Sequence, residues 1–170
     1  LTTDTFGDHW GARPSPDGKS IVYILRRFDD LNRLDVILLE IETGKSFTLY
    51  GKPSTRALSP KWSPDGEWIA FIAQESERDE IYLVRPNGEG LHQLTNTGHD
   101  VAQFEWAPDS RQLVVVFNRN GALDLSLVET ETGSVADLRS GAGVHSNPNW
   151  AQDGSFITFA RTKREREMAG

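Results

Sequence analysis

Trp62-Ser63-Pro64-Asp65-Gly66, followed by Trp68-Ile69-Ala70-Phe71, is the stretch that decides the fold, because the chain returns to it three more times. It appears as Ser15-Pro16-Asp17-Gly18 with Ile21 and Tyr23, and as Trp106-Ala107-Pro108-Asp109 with Leu113 and Val115. The last copy is Trp150-Ala151-Gln152-Asp153-Gly154 with Ile157 and Phe159. Asp17, Asp65, Asp109 and Asp153 are 48, 44 and 44 residues apart. Pro-Asp-Gly between two apolar stretches is hairpin punctuation. Proline pre-sets φ, aspartate bonds its own backbone, and glycine takes the left-handed position without steric cost. The four aspartates are therefore read as turn formers. Ser110 takes the glycine's place in the third copy, where a left-handed residue costs roughly 1–2 kcal/mol, and Gln152 takes the proline's in the fourth. Both hairpins are still expected to form.

After each turn the apolar residues alternate, which predicts a strand with one buried face. Trp62, Trp106 and Trp150 each stand three residues before the motif aspartate, an equivalent place that predicts core packing between repeats. A period of this length, built from short strands and turns, signals β-propeller blades, whose repeats run about 40–50 residues. The expectation is an all-β propeller with four-stranded antiparallel blades. Repeats fall at about 8–50, 56–95 and 101–138, with an incomplete one at 146–170, and residues 1–5 read as the last strand of a preceding blade. Three complete blades and parts of two others would leave unpaired edges, so residues 1–170 are expected to be a partial propeller, a fragment of a larger one.

Composition narrows the partners. With 18 Lys and Arg against 25 Asp and Glu the net charge is −7, which argues against a nucleic-acid or anionic-membrane surface. The charged run Arg161-Thr162-Lys163-Arg164-Glu165-Arg166-Glu167 is read as a solvated hairpin loop rather than a nucleic-acid tail. There are no cysteines, so neither disulfides nor Cys-ligated zinc can form. No apolar run approaches the ~18 residues of a membrane span. Leu1-Thr2-Thr3-Asp4 lacks the features of a secretory leader. A chain without an initiator methionine is expected to be a processed or excised piece.

Pro60-Lys61-Trp62-Ser63-Pro64-Asp65-Gly66-Glu67-Trp68-Ile69-Ala70-Phe71, then Glu80-Ile81-Tyr82-Leu83-Val84 and Gln93-Leu94-Thr95, resembles the TolB-type propeller repeat, and the resemblance covers essentially the whole chain. The first repeat departs from it, with Pro14 in place of the tryptophan. Similar repeats build TolB, a periplasmic protein that binds partner proteins. They also build the N-terminal propeller of prolyl oligopeptidase-family serine peptidases, the acylaminoacyl and dipeptidyl peptidases among them. There the propeller limits which substrates reach a separate hydrolase domain. Gly98–Trp106 and Phe156–Thr162 look like peptidase propellers. The resemblance thus implies a non-catalytic module that binds a peptide or protein, or a hydrolase domain of the same chain. A TolB-like scaffold is the alternative. The compartment would be cytoplasmic in the first case and periplasmic in the second.

No serine here stands in the Gly-x-Ser-x-Gly elbow of an α/β-hydrolase. No phosphate loop, His-Glu-x-x-His or Asp-rich calcium loop occurs. The chain is expected to have no catalytic residue, cofactor or metal. Asp8-His9, His99-Asp100 and His145 lie eight to ten residues before a motif aspartate, in what read as loops joining one blade to the next. Imidazoles and carboxylates gathered at a channel mouth could bind a peptide's charged ends or a metal. His92 is read as an exposed residue in mid-strand.

Overall fold

The computed structural model describes residues 7–75, 77–138 and 144–162, and all of the regular structure in them is β. The chain forms two compact units, Leu1–Asn96 and Thr97–Gly170.

In the first unit β1 (Gly7–Pro14), β2 (Ser20–Arg27), β3 (Leu34–Glu40) and β4 (Ser46–Tyr50) pair in chain order as one antiparallel sheet. A second sheet has the same order, from β5 (Ala57–Trp62) and β6 (Ile69–Ala73) to β7 (Glu80–Val84) and β8 (His92–Gln93). The fourth strand of the repeat at 56–95 is thus only two residues long, although Leu94 N–H still donates to Ile81 O at 2.7 Å.

In the second unit β9 (Asp100–Trp106), β10 (Gln112–Arg119), β11 (Ala122–Glu129) and β12 (Val135–Asp137) make the third sheet. β13 (Val144–Trp150) and β14 (Ile157–Thr162) make a two-stranded fourth. Three complete four-stranded sheets with the start of another agree with the repeat count. The strand expected at 1–5 lies outside the described residues; of the loop expected at Arg161–Glu167, Arg161 and Thr162 instead end β14, and the remainder lies outside the described residues.

One expectation needs correcting. The second strands of the three four-stranded sheets are buried on both faces, not one: Ile69, Ala70, Phe71, Ile72 and Ala73 are all inside, as are Leu113 to Phe117, whereas β14 of the fourth repeat is mostly exposed. In β2 the faces serve different clusters. Val22 and Ile24 join Val36, Leu38, Ile69, Phe71 and Val84 between the first two sheets. Tyr23 and Leu25 join Ile37 and Leu39 on the other side. Continuous apolar runs mark strands covered on both sides, and alternation marks a solvated face. Val22-Tyr23-Ile24-Leu25 and Val114-Val115-Val116-Phe117 are such runs. Burying each Ile, Leu or Phe contributes about 1.5–3 kcal/mol, so the middle strands anchor their sheets.

Candidate functional site

Each hairpin joining a first to a second strand is built the same way. In the second sheet Gly66 N–H donates to Ser63 O at 2.9 Å, Ser63 N–H to Trp68 O at 2.8 Å, and Glu67 N–H to Asp65 Oδ1 at 2.9 Å. The same three bonds recur at Ser15–Ser20, Ala107–Gln112 and Ala151–Phe156. Gly66 has φ 76°, and Ser110, in the glycine's place, is held at 63°. The turn therefore persists without the glycine or the proline. Asp17, Asp65, Asp109 and Asp153 all spend a carboxylate oxygen on a backbone N–H two residues on. Asp17 is held below the usual carboxylate range by the Ser15 hydroxyl and Lys19 N–H, and Asp153 by the Ser155 hydroxyl and N–H.

The tryptophans occupy equivalent strand ends with unequal burial. Trp106 is 7% exposed. Trp62 is half-buried, packs on the cluster between the first two sheets, and donates its indole N–H to Arg13 O at 3.2 Å. Trp150 packs from the fourth sheet onto Val114, Val116 and Leu125 of the third.

A second repeated feature carries no obvious sequence signal. The first strand bulges at Gly11, Ser59 and Asn147, each six residues before its motif aspartate, with φ of 66°, 53° and 51°. Gln103 stands at the same place in the third sheet and reaches the next bulge, where its Oε1 accepts Asn147 N–H at 2.6 Å. Bulges bend a strand and re-aim its side chains. Glycine, serine and asparagine all tolerate or are small enough for the left-handed region, but no single residue type marks it.

The candidate loop residues are mostly strand residues. Asp8 and His9 lie in β1, where Asp8 faces Arg26 across the ladder and His9 meets the Tyr23 ring edge-on at 5.3 Å. His99 directly precedes β9, which Asp100 opens opposite Asn118; both are half-buried. His145 corrects the loop reading most sharply. It lies in β13 and is fully buried. Its Nδ1–H donates to Leu123 O at 2.8 Å, and its ring packs edge-on to Phe159 at 5.4 Å. A carbonyl only accepts, so Nδ1 carries the proton. His145 thus ties β13 to β11 and is not available to a ligand. His92 in β8 is exposed and sits against Trp68. Among the described residues no three His, Asp or Glu side chains gather as a metal ion would require.

The model of the TolB beta propeller domain, PD40, matches residues 9–168. The chain belongs to this family. An uncharacterized protein of Agrobacterium fabrum, Atu1656, is 31% identical to this propeller over 177 residues, covering 95% of this chain and 57% of that protein. The uncharacterized peptidase YuxL of Bacillus subtilis is 23% identical, covering 91% of this chain and 30% of the peptidase. The chain therefore spans little more than half of one curated relative and under a third of the other. The crystal structure of TolB from Acinetobacter baumannii superposes with a TM-score of 0.74 at 22% identity, covering 94% of this chain and 39% of that one. The sheets described above are the blades of this propeller.

Proposed function

We propose that this propeller is the non-catalytic, peptide-binding module of a prolyl oligopeptidase-type serine peptidase, gating access to a separate hydrolase domain. The observation that carries the reading is the match of 91% of this chain to 30% of a peptidase. That proportion leaves most of the peptidase for other parts, as a gate attached to a hydrolase would. The geometry supports a binding role over chemistry. The motif carboxylates are committed to turn amides, and the one fully buried imidazole bonds a backbone carbonyl. Asp8 and His9 in the first unit, and separately His99 and Asp100 in the second, stand at the entry of the first strand of their blades, and we assign each pair by itself to contact a polar group of a peptide.

The test is size selectivity in the full-length protein. Hydrolysis of short chromogenic peptides should proceed while a folded protein substrate is spared. Removal of the propeller should abolish that discrimination. Equal cleavage of long and short substrates by the intact protein would contradict gating. A TolB-like scaffold is the second reading, favoured by the close fit of Pro60–Phe71, Glu80–Val84 and Gln93–Thr95 to the TolB-type repeat.

A further inference from the structure

The register of the first unit sets four side chains in a row. Arg26 in β2 pairs with Asp8 of β1 on one side and with Leu34 of β3 on the other. Leu34 in turn bridges to Arg56, just ahead of β5, and its N–H donates to Thr55 O at 3.0 Å. Direct cross-strand partners share a face. With strands about 4.8 Å apart, the two arginine backbones stand roughly 10 Å apart with buried Leu34 between them. Trp10 follows Asp8 by two residues and so shares this face; it is 41% exposed. The hairpin loop after β2 adds Leu31 and Asn32. Together Trp10, Arg26, Leu31, Asn32, Leu34 and Arg56 line a cavity of about 350 Å³.

Such a volume is at the small end of ligand pockets, which run about 300–1,000 Å³, so it suits one or two residues rather than a folded partner. Its chemistry is particular. Among the described residues neither the Arg26 nor the Arg56 guanidinium has an ion-pair or hydrogen-bond partner. The neighbouring arginines are engaged, Arg33 with Asp35 at 2.7 Å and Arg27 with Asp29 at 3.3 Å. Asp30 is committed to Asn32 N–H and Ser54 N–H. Asp8, the carboxylate opposite Arg26, forms no ion pair with it. Two free guanidinium forks flanking an apolar floor fit a planar carboxylate, which accepts from each fork. The exposed indole and Leu31 offer an apolar wall beside it.

We propose that this cavity binds a peptide carboxylate, that of a C-terminal residue with an apolar side chain, with Arg26 and Arg56 holding the carboxylate and Trp10 and Leu31 the side chain. The assignment rests on the peptide-binding reading above and names the part of the peptide that reading leaves open. A C-terminal carboxylate and an acidic side chain share this chemistry, and the test separates them.

Calorimetric titration of the full chain uses three peptides: a hexapeptide ending in leucine, its C-terminal amide, and the amide with an internal glutamate. The free acid should bind at least about tenfold tighter than the plain amide, since a hydrogen bond to a charged group is worth that much or more. Arg26→Gln and Arg56→Gln should each cost a similar factor. Arg56 is exposed, so its substitution keeps the test valid should Arg26→Gln disturb β2. Equal affinity for acid and plain amide, unchanged affinity in Arg56→Gln, or no binding at millimolar peptide would overturn the proposal. Tight binding of the glutamate-bearing amide would keep the carboxylate site and overturn its terminal assignment. Failure of size selectivity would remove gating alone and leave these affinities as they are.

Discussion

The second and third blades hold the same hairpin in two different ways. At Ser63–Gly66 the turn is fully supported: the Ser63 hydroxyl donates to Asp65 Oδ1 at 2.6 Å and accepts Trp68 N–H at 2.9 Å, and glycine occupies the left-handed position. Its tryptophan, Trp62, is only half-buried. At Ala107–Ser110 the hydroxyl is gone and a serine bears the left-handed strain, yet the backbone bonds are kept and Trp106 is buried. Local bonding and core packing thus substitute for one another from blade to blade. Neither alone defines the repeat.

Six substitutions sharpen the contrast, each measured by denaturant unfolding. Trp106→Ala should cost about 3–5 kcal/mol, the usual range for an aromatic removed from a core, and clearly more than Trp62→Ala. Equal losses would mean the two indoles are energetically alike despite their burial. Ser63→Ala should cost about 1–2 kcal/mol by leaving the Trp68 N–H without its acceptor. The converse Ala107→Ser should gain less than that, since it adds a hydroxyl to a turn that already stands. Ser110→Gly should stabilise by about 1 kcal/mol through relief of the left-handed serine, whereas Gly66→Ala should destabilise by a similar amount. The Cβ at Gly66 would meet nothing nearer than Pro16 at 3.8 Å, so any loss reports backbone conformation and not a clash.

The smallest effect concerns how the outer strands are tied. In the second blade buried Glu80 accepts the Thr95 hydroxyl, which itself accepts Ile81 N–H at 2.9 Å. In the third, Asp137 of β12 accepts from Arg119 at 2.9 Å and from the Ser126 hydroxyl at 2.8 Å. Those two donors hold its carboxyl down to about 2, against about 3.9 when unfolded. A depressed pKa stabilises above the unfolded value, and that stability is lost as pH falls from about 4 through about 2. Asp137 is 59% exposed, so solvent screening limits the contribution to under ~1 kcal/mol. Asp137→Asn should flatten the stability curve between pH 4 and 2, and an unchanged slope there would remove the ion pair from the account.

What could be read from the residues follows from how local each feature is. The Asp-Gly turns were legible because their bonds span five residues, and Ser110 could be placed by alignment alone. The double burial of β6 and β10 was written in Ile69–Ala73 and Leu113–Phe117 as unbroken apolar runs, but alternate residues within them also satisfy a one-faced pattern. The bulges at Gly11, Ser59 and Asn147 share a position and no residue type. His145 looked like a polar loop residue because its partner, the Leu123 carbonyl, belongs to another strand. The cavity of Trp10, Arg26 and Arg56 was invisible for the same reason: three distant segments meet only through strand register.

The central claim is that these blades bind and gate while the chemistry is done elsewhere in the protein. Labelling the full-length protein with a fluorophosphonate, followed by peptide mapping, tests it most directly. The account predicts a single modified serine outside residues 7–162, with loss of peptide hydrolysis on modification. A label on a propeller serine, or a protein that neither takes the label nor cleaves peptides, would contradict it.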